Sequence, residues 1–250
     1  MTKKPTGSRV RAQAVAEPQR SSAAAATQRR NRMLMWGGLA LVLVVAIVVA
    51  IVPSGGGENA DATKFETASV EVSGTPLPQY DADAVNDPAI GETIPTLQGK
   101  SVDDGSPVTI GPDDGDGQPQ AIVFVAHWCP HCRAEVPRLV ALAKQGAFEG
   151  VKVSAVATST SEQAPNYPPS KWLQDAQWPF PVMADSKSGT AAQAYGLSAV
   201  PYFVLVNPDG TVAGRATGEI SDADVRANVA ALKAGKDLPL TSSSKSSSAN

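Results

Sequence analysis

Ala121-Ile122-Val123-Phe124-Val125-Ala126-His127-Trp128-Cys129-Pro130-His131-Cys132 is the stretch on which the fold turns. Its first five residues are an unbroken apolar, largely β-branched run, the pattern of a strand buried on both faces. Beyond Cys132, apolar Val136, Leu139, Val140, Ala143 and Phe148 recur at helical steps. A Cys-x-x-Cys pair therefore sits where a strand turns into a helix. Cys129 is placed at the helix N-cap and Pro130 at the first helical position, where its missing amide leaves nothing unpaired. The first-turn amides and the helix dipole then favour a thiolate at Cys129, and a protonated His131 would add a positive charge beside it. Thiolates are what attack disulfides, so Cys129 reads as a reactive cysteine. Cys132 is near enough in sequence to close the redox disulfide Cys129–Cys132.

Both cysteines and both histidines of the chain lie in this one stretch. Metal binding is one rival reading, since Cys129, Cys132, His127 and His131 could supply soft or borderline ligands. There is no second Cys/His pair elsewhere, as a closed zinc site would want, so no metal site is assigned. A purely structural bridge is another rival, but so short a loop removes little unfolded-chain entropy. Redox chemistry is the favoured reading.

The 250 residues allow one domain with appendages. The net charge of −3 hides an asymmetry: residues 1–32 carry eight Lys/Arg against Glu17 alone, hence +7, leaving −10 for the rest. Residues 33–52, Met33 to Val52, are twenty residues without a charge, about the length that crosses a hydrocarbon core as a helix. Arg29, Arg30 and Arg32 flank its start. The positive-inside rule then places residues 1–32 in the cytoplasm and everything beyond residue 53 outside. A cleaved signal peptide is the rival, with Ala60-Asp61-Ala62 as a cleavage form, but the apolar run is longer than such peptides use. The basic tail reads as the cytoplasmic side of an anchor in the cell membrane, single-pass, and not as a nucleic-acid surface. Outside that membrane disulfides persist, and a chain with only two cysteines fits a protein carrying one redox pair.

The expected organisation is a disordered tail at 1–32, the transmembrane anchor at 33–52, a linker at 53–75, a folded domain at 76–236 and a Ser-rich disordered tail at 237–250. Within the domain, prolines 76, 78, 88 and 95 suggest an extended lead-in. Ser101 to Ile110 reads as a hairpin turning at Asp104-Gly105. After strand 121–125 and its helix, which should end near Gly146, come a strand at 151–157, a polar proline-bearing connection at 158–170, and a short helix at 171–176. An extended run at 178–183 and a short helix at 190–195 follow. Strands at 202–206 and 211–216 are joined by Asn207-Pro208-Asp209-Gly210, a strong turn signal. A helix from Asp222 to about Ala234 is capped by Ser221. This order predicts an α/β protein with the thioredoxin fold, a central mixed sheet flanked by helices.

Four blocks carry a family resemblance: Trp128-Cys129-x-x-Cys132-Arg133-x-Glu135-x-Pro137, Trp178-Pro179-Phe180-Pro181-Val182, Tyr195-Gly196-Leu197, and Val200-Pro201-Tyr202 running on to Asp209-Gly210. Together they resemble the TlpA/ResA-like, membrane-anchored branch of the thioredoxin superfamily, over about residues 90–236. The Cys-Pro-His-Cys sequence itself resembles the DsbA family, whose members are strong oxidants. Val123 stands where thioredoxins place a buried acid.

The resemblance implies a protein thiol–disulfide oxidoreductase that needs no cofactor. Its partners would be exported protein thiols and disulfides and a membrane redox partner that resets the cysteine pair. Cys129, Cys132, Pro130, His131 and Glu135 are the catalytic candidates; Trp128, Val200 and Pro201 are candidates for binding the client. Pro201 resembles a cis-proline that lies against the cysteines and leaves the Val200 backbone open to an extended client segment. Glu135, one turn beyond Cys132, has two readings: a proton acceptor for the second cysteine, or a solvated surface residue. Trp128 is expected to shield the site, His127 to face solvent, and Trp172 and Trp178 to be packing residues. The dipeptide argument tilts the expectation towards a disulfide donor. The alternatives are a reductant of exported thiols, as in cytochrome c maturation, or a copper chaperone using the cysteines and a histidine.

Overall fold

The computed structural model describes residues 65–239. The expected anchor, the basic tail, the first part of the linker and nearly all of the Ser-rich tail lie outside them. Among the described residues no helix is long and apolar enough to cross a membrane.

Eight strands form one mixed sheet: β1 (Glu71–Ser73), β2 (Thr96–Ser101), β3 (Pro107–Ile110), β4 (Gln120–Val125), β5 (Lys152–Ala157), β6 (Val182–Ala184), β7 (Tyr202–Val206) and β8 (Val212–Thr217). Their order is β1-β2-β6-β5-β4-β7-β8, with β3 on the second edge of β2. β4, β5 and β6 run parallel, whereas β7 is antiparallel to β4 and β8 to β7. Among the described residues four α-helices accompany the sheet: α1 (Pro130–Lys144), α2 (Pro169–Asp175), α3 (Thr190–Ala194) and α4 (Asp222–Lys233).

β4 is buried along its whole length, as its apolar run requires. Side chains alternate across a strand, so its residues divide between two cores. Ala121, Val123 and Val125 join Val136, Leu139 and Val140 of α1 and Val225 and Val229 of α4 on one face. Ile122 and Phe124 join Ala191 of α3 with Tyr195 and Tyr202 on the other. Phe124 meets the Tyr195 and Tyr202 rings at centroid distances of 5.4 and 5.8 Å. With helices on both faces, the sheet is a thioredoxin-like α/β fold. Trp172 and Trp178 pack against the α1 face, as expected.

The local signals lie close to where the sequence puts them. The β7–β8 turn has Gly210 at φ +81°, and a Cβ added there would run into the Cβ and Cα of Pro112. Ser221 caps α4 by accepting from the Asp224 amide at 3.2 Å. α1 runs on through Pro137.

The linker expected at 53–75 is corrected in its described part. Ala68 N–H donates to Asp185 O, β1 pairs with β2, and the Glu66 carboxylate is buried against the amide and hydroxyl of Ser170. Backbone pairing brings this segment in, and Val70 and Val72, alternating with polar neighbours, pack against the second core. The lead-in that follows wraps over the sheet towards β8. Leu77 and Tyr80 donate to Ala194 O and Gly196 O. Arg215 of β8, its side chain fully buried, forms a two-pronged pair with Asp87 and donates to Pro78 O and the Tyr202 hydroxyl. Burial pushes the Asp87 carboxyl up, but hydrogen bonds from Arg215 and the Ala89 amide, with the Arg215 charge, win and hold it below its ordinary value.

Candidate active site

The interior strand β4 delivers Ala126 to Trp128 to its C-terminal end, and α1 starts immediately after Cys129. Cys129 has extended backbone (φ −71°, ψ 122°) and Pro130 opens the helix. The Arg133 amide closes the first turn on the Cys129 carbonyl at 3.1 Å. Both cysteines are free thiols, Cys129 6% exposed and Cys132 enclosed. Cys132 Sγ accepts from the Ala126 amide at 3.5 Å, while burial pushes its thiol far above the ordinary range.

Two expectations about Cys129 need correction. The helix amides do not cap its sulfur. Its Sγ donates instead to Val200 O at 3.4 Å, across the cleft, where the Val200–Pro201 peptide is cis. His131 does not direct its charge at Cys129 alone either. It stands 69% exposed with Nδ1 2.9 Å from Glu219 Oε1, on the loop between β8 and α4. A carboxylate at that distance offsets the field of a histidinium.

Of the two readings of Glu135, the surface one is excluded: the residue is 1% exposed. Its Oε1 accepts from the Ile220 amide at 3.3 Å and its Oε2 from Arg138 at 2.9 Å. Burial lifts its carboxyl to about 7, with Arg138 and the Ile220 amide pulling the other way. A group balanced near neutrality, whose charge acts on the Cys132 thiol, is suited to exchange a proton with it.

His127, expected to face solvent, is buried. Its Nε2 accepts from the Ser161 amide at 3.2 Å, so the proton sits on Nδ1, which donates to Pro165 O at 2.7 Å. Desolvation lowers its pKa, only partly opposed by the Pro165 bond, and keeps it neutral. Together with Asn166, which donates to its carbonyl, His127 pins the connection 158–168 beside the cysteines. With both ring nitrogens engaged, it is not free to ligate copper. No cluster of three or more His, Cys, Asp or Glu residues suited to a metal occurs among the described residues. Trp128 stays 38% exposed, its indole N–H donating to Ser159 O at 2.8 Å. It presents an apolar edge at the cleft mouth.

Cys129, Pro130, Trp128, Val200 and Pro201 thus come together at one end of the sheet, with Cys132 enclosed behind Cys129, His131 on the exposed side and Glu135 one turn beyond Cys132. Sequence reasoning passed over Arg138 and Glu219. Arg138 was within reach, three residues from Glu135 on one helix face; Glu219 lies 88 residues from His131, where no local pattern reports it.

Comparison with known proteins bears on the same residues. The family model described as the AhpC/TSA family matches residues 90–215. A thiol:disulfide interchange protein, DsbE, of Pseudomonas aeruginosa is 26% identical over 159 residues, covering 64% of this chain and 74% of that protein. The thiol-disulfide oxidoreductase ResA of Oceanobacillus iheyensis is 25% identical over 124 residues, covering 49% of this chain and 62% of its own length. The crystal structure of an uncharacterized conserved protein from Geobacillus kaustophilus aligns at a TM-score of 0.54 and 23% identity, over 66% of this chain and 92% of that one, a likeness of fold.

Proposed function

The chain belongs to the AhpC/TSA family, and on that footing we propose that this thiol–disulfide oxidoreductase reduces disulfides of exported proteins from an anchor in the cytoplasmic membrane. The observation that carries the reading is the placement of the two thiols: Cys129 Sγ at the cleft against Val200 O, Cys132 enclosed one turn behind it. An extended client segment would lie along Val200 beside Trp128. Cys129 gives up its proton to solvent and its thiolate attacks the client disulfide, and one client sulfur leaves as a thiolate. The Glu135 carboxylate then takes the Cys132 proton, Cys132 Sγ attacks Cys129 Sγ, and the second client sulfur leaves to be protonated from solvent. Two electrons pass to the client, and the Cys129–Cys132 disulfide must be reset by a partner in the membrane.

The direction departs from the donor expected from the dipeptide. A donor needs its reduced form stabilised as a thiolate. Here Cys129 Sγ lies against the Val200 carbonyl with no helix amide on it, and His131 is matched by Glu219. Neither feature supplies the stabilisation that a donor needs, which supports electron delivery. Equilibration with glutathione buffers tests this: the potential should lie near the roughly −270 mV of thioredoxin, and a value near the roughly −120 mV of DsbA would overturn the assignment. The anchor rests on the charge-free run at 33–52 and its flanking arginines. A mature chain beginning near Thr63, free of the membrane, would refute it.

A further inference from the structure

One guanidinium stands between the buried and the exposed acids of this site. Arg138 Nη1 donates to Glu135 Oε2 at 2.9 Å and lies 4.0 Å from Glu219 Oε2. Its Nη2 donates to Ile220 O and to Asp222 Oδ1 at 2.8 Å, and its Nε reaches the same oxygen at 3.2 Å. Glu219 in turn meets His131. Arg138 thereby joins the carboxyl behind Cys132 to the residue between the cysteines, and ties α1 to the start of α4. The charged and titratable groups acting around Glu135 are Arg138 and Cys132 from α1, Glu219 from the β8–α4 loop and Asp222 from α4. Burial, Glu219 and Asp222 oppose its ionisation; the Arg138 charge and the Ile220 amide favour it.

We propose that Arg138 is a positioning residue for thiol–disulfide exchange, holding Glu135 in place and keeping enough of it ionised to accept the Cys132 proton. The assignment rests on Glu135 as that acceptor. The step moves one proton from Cys132 Sγ to a Glu135 oxygen while the Cys132–Cys129 bond forms and the bond from Cys129 to the client sulfur breaks. A lysine could supply the charge but not the fork that spans Glu135, Ile220 and Asp222.

The test follows release of the second glutathione after the full-length reduced chain meets glutathione disulfide, across pH 5 to 9. Its rate reports attack by Cys132 on the Cys129–glutathione bond. The native rate should rise to a plateau with a midpoint near the Glu135 value of about 7. Arg138→Ala should move that midpoint up by about one unit, slowing release about fivefold at pH 7 and restoring it at pH 9. Arg138→Lys should return the midpoint most of the way, which a general loss of structure would not allow. A native midpoint in Arg138→Ala, or equal displacement in Arg138→Lys, overturns the assignment. In those cases a flattened profile in Glu135→Gln would still leave Glu135 as acceptor, whereas a native profile in Glu135→Gln overturns both.

Discussion

Glu135→Gln should make the fold less sensitive to rising pH. The native carboxyl is 1% exposed and lifted by burial from an ordinary 4.5 to about 7. A group whose folded pKa is raised contributes stability that is fully present below its unfolded value and lost as pH rises through its folded value. Between pH 4.5 and 8 the native protein therefore gives up stability that an uncharged glutamine keeps. At about 1.4 kcal/mol per unit of pKa, the difference comes to about 3 kcal/mol. Glutamine matches the shape of the side chain, so the comparison isolates the charge. The assay is urea unfolding of both proteins, held reduced, at pH 4.5 and pH 8. The native free energy of unfolding should fall by about 3 kcal/mol more than that of the variant over this interval. His127 and the remaining titrating groups are common to both proteins and cancel in the comparison. Parallel pH dependence would refute the reasoning, because it would mean that Glu135 ionises in the folded chain as readily as in the unfolded one.

Three other outcomes follow. Cys132→Ser should accumulate mixed disulfides with exported proteins on non-reducing gels while Cys129→Ser accumulates few; equal trapping by both would contradict Cys129 as the attacking thiol. Asp87→Ala leaves the enclosed Arg215 charge without its partner and should cost about 3–5 kcal/mol in urea unfolding at neutral pH; a loss under 1 kcal/mol, on the scale of an exposed pair, would show that water reaches the site. Gly196→Ala should lose more than about 2 kcal/mol by the same measurement. Gly196 sits at φ +67°, and an added Cβ would press on the Pro78 carbonyl, displacing the lead-in that it receives.

Much of the framework was legible because its signals are local. A fully apolar strand before Cys-x-x-Cys, a proline at the first helical position, Asn-Pro-Asp-Gly between two strands and Ser221 before a helix each act within a few residues. Backbone propensity and the repeat of side-chain direction are enough to read them. What surrounds the sulfur atoms was decided at long range. Glu135, for which the helix position left an acceptor and a surface reading open, is a buried acid because Ile220 and Arg138 close over it. His127 looks like a loop residue, and becomes a buried neutral imidazole because Ser161 and Pro165 fold back on it. β1 escaped the sequence reading because its alternation is short, Val70 and Val72 between Ser69, Glu71 and Ser73, and gains its meaning only when pairing with β2 lays those two valines on the core. The same division separates chemistry from direction. Two cysteines at a helix start determine that thiol–disulfide exchange is possible, whereas the Val200 carbonyl, the Glu219 carboxylate and the Ile220 amide, each 71 to 88 residues from the group it meets, reach Cys129, His131 and Glu135 only through the tertiary fold.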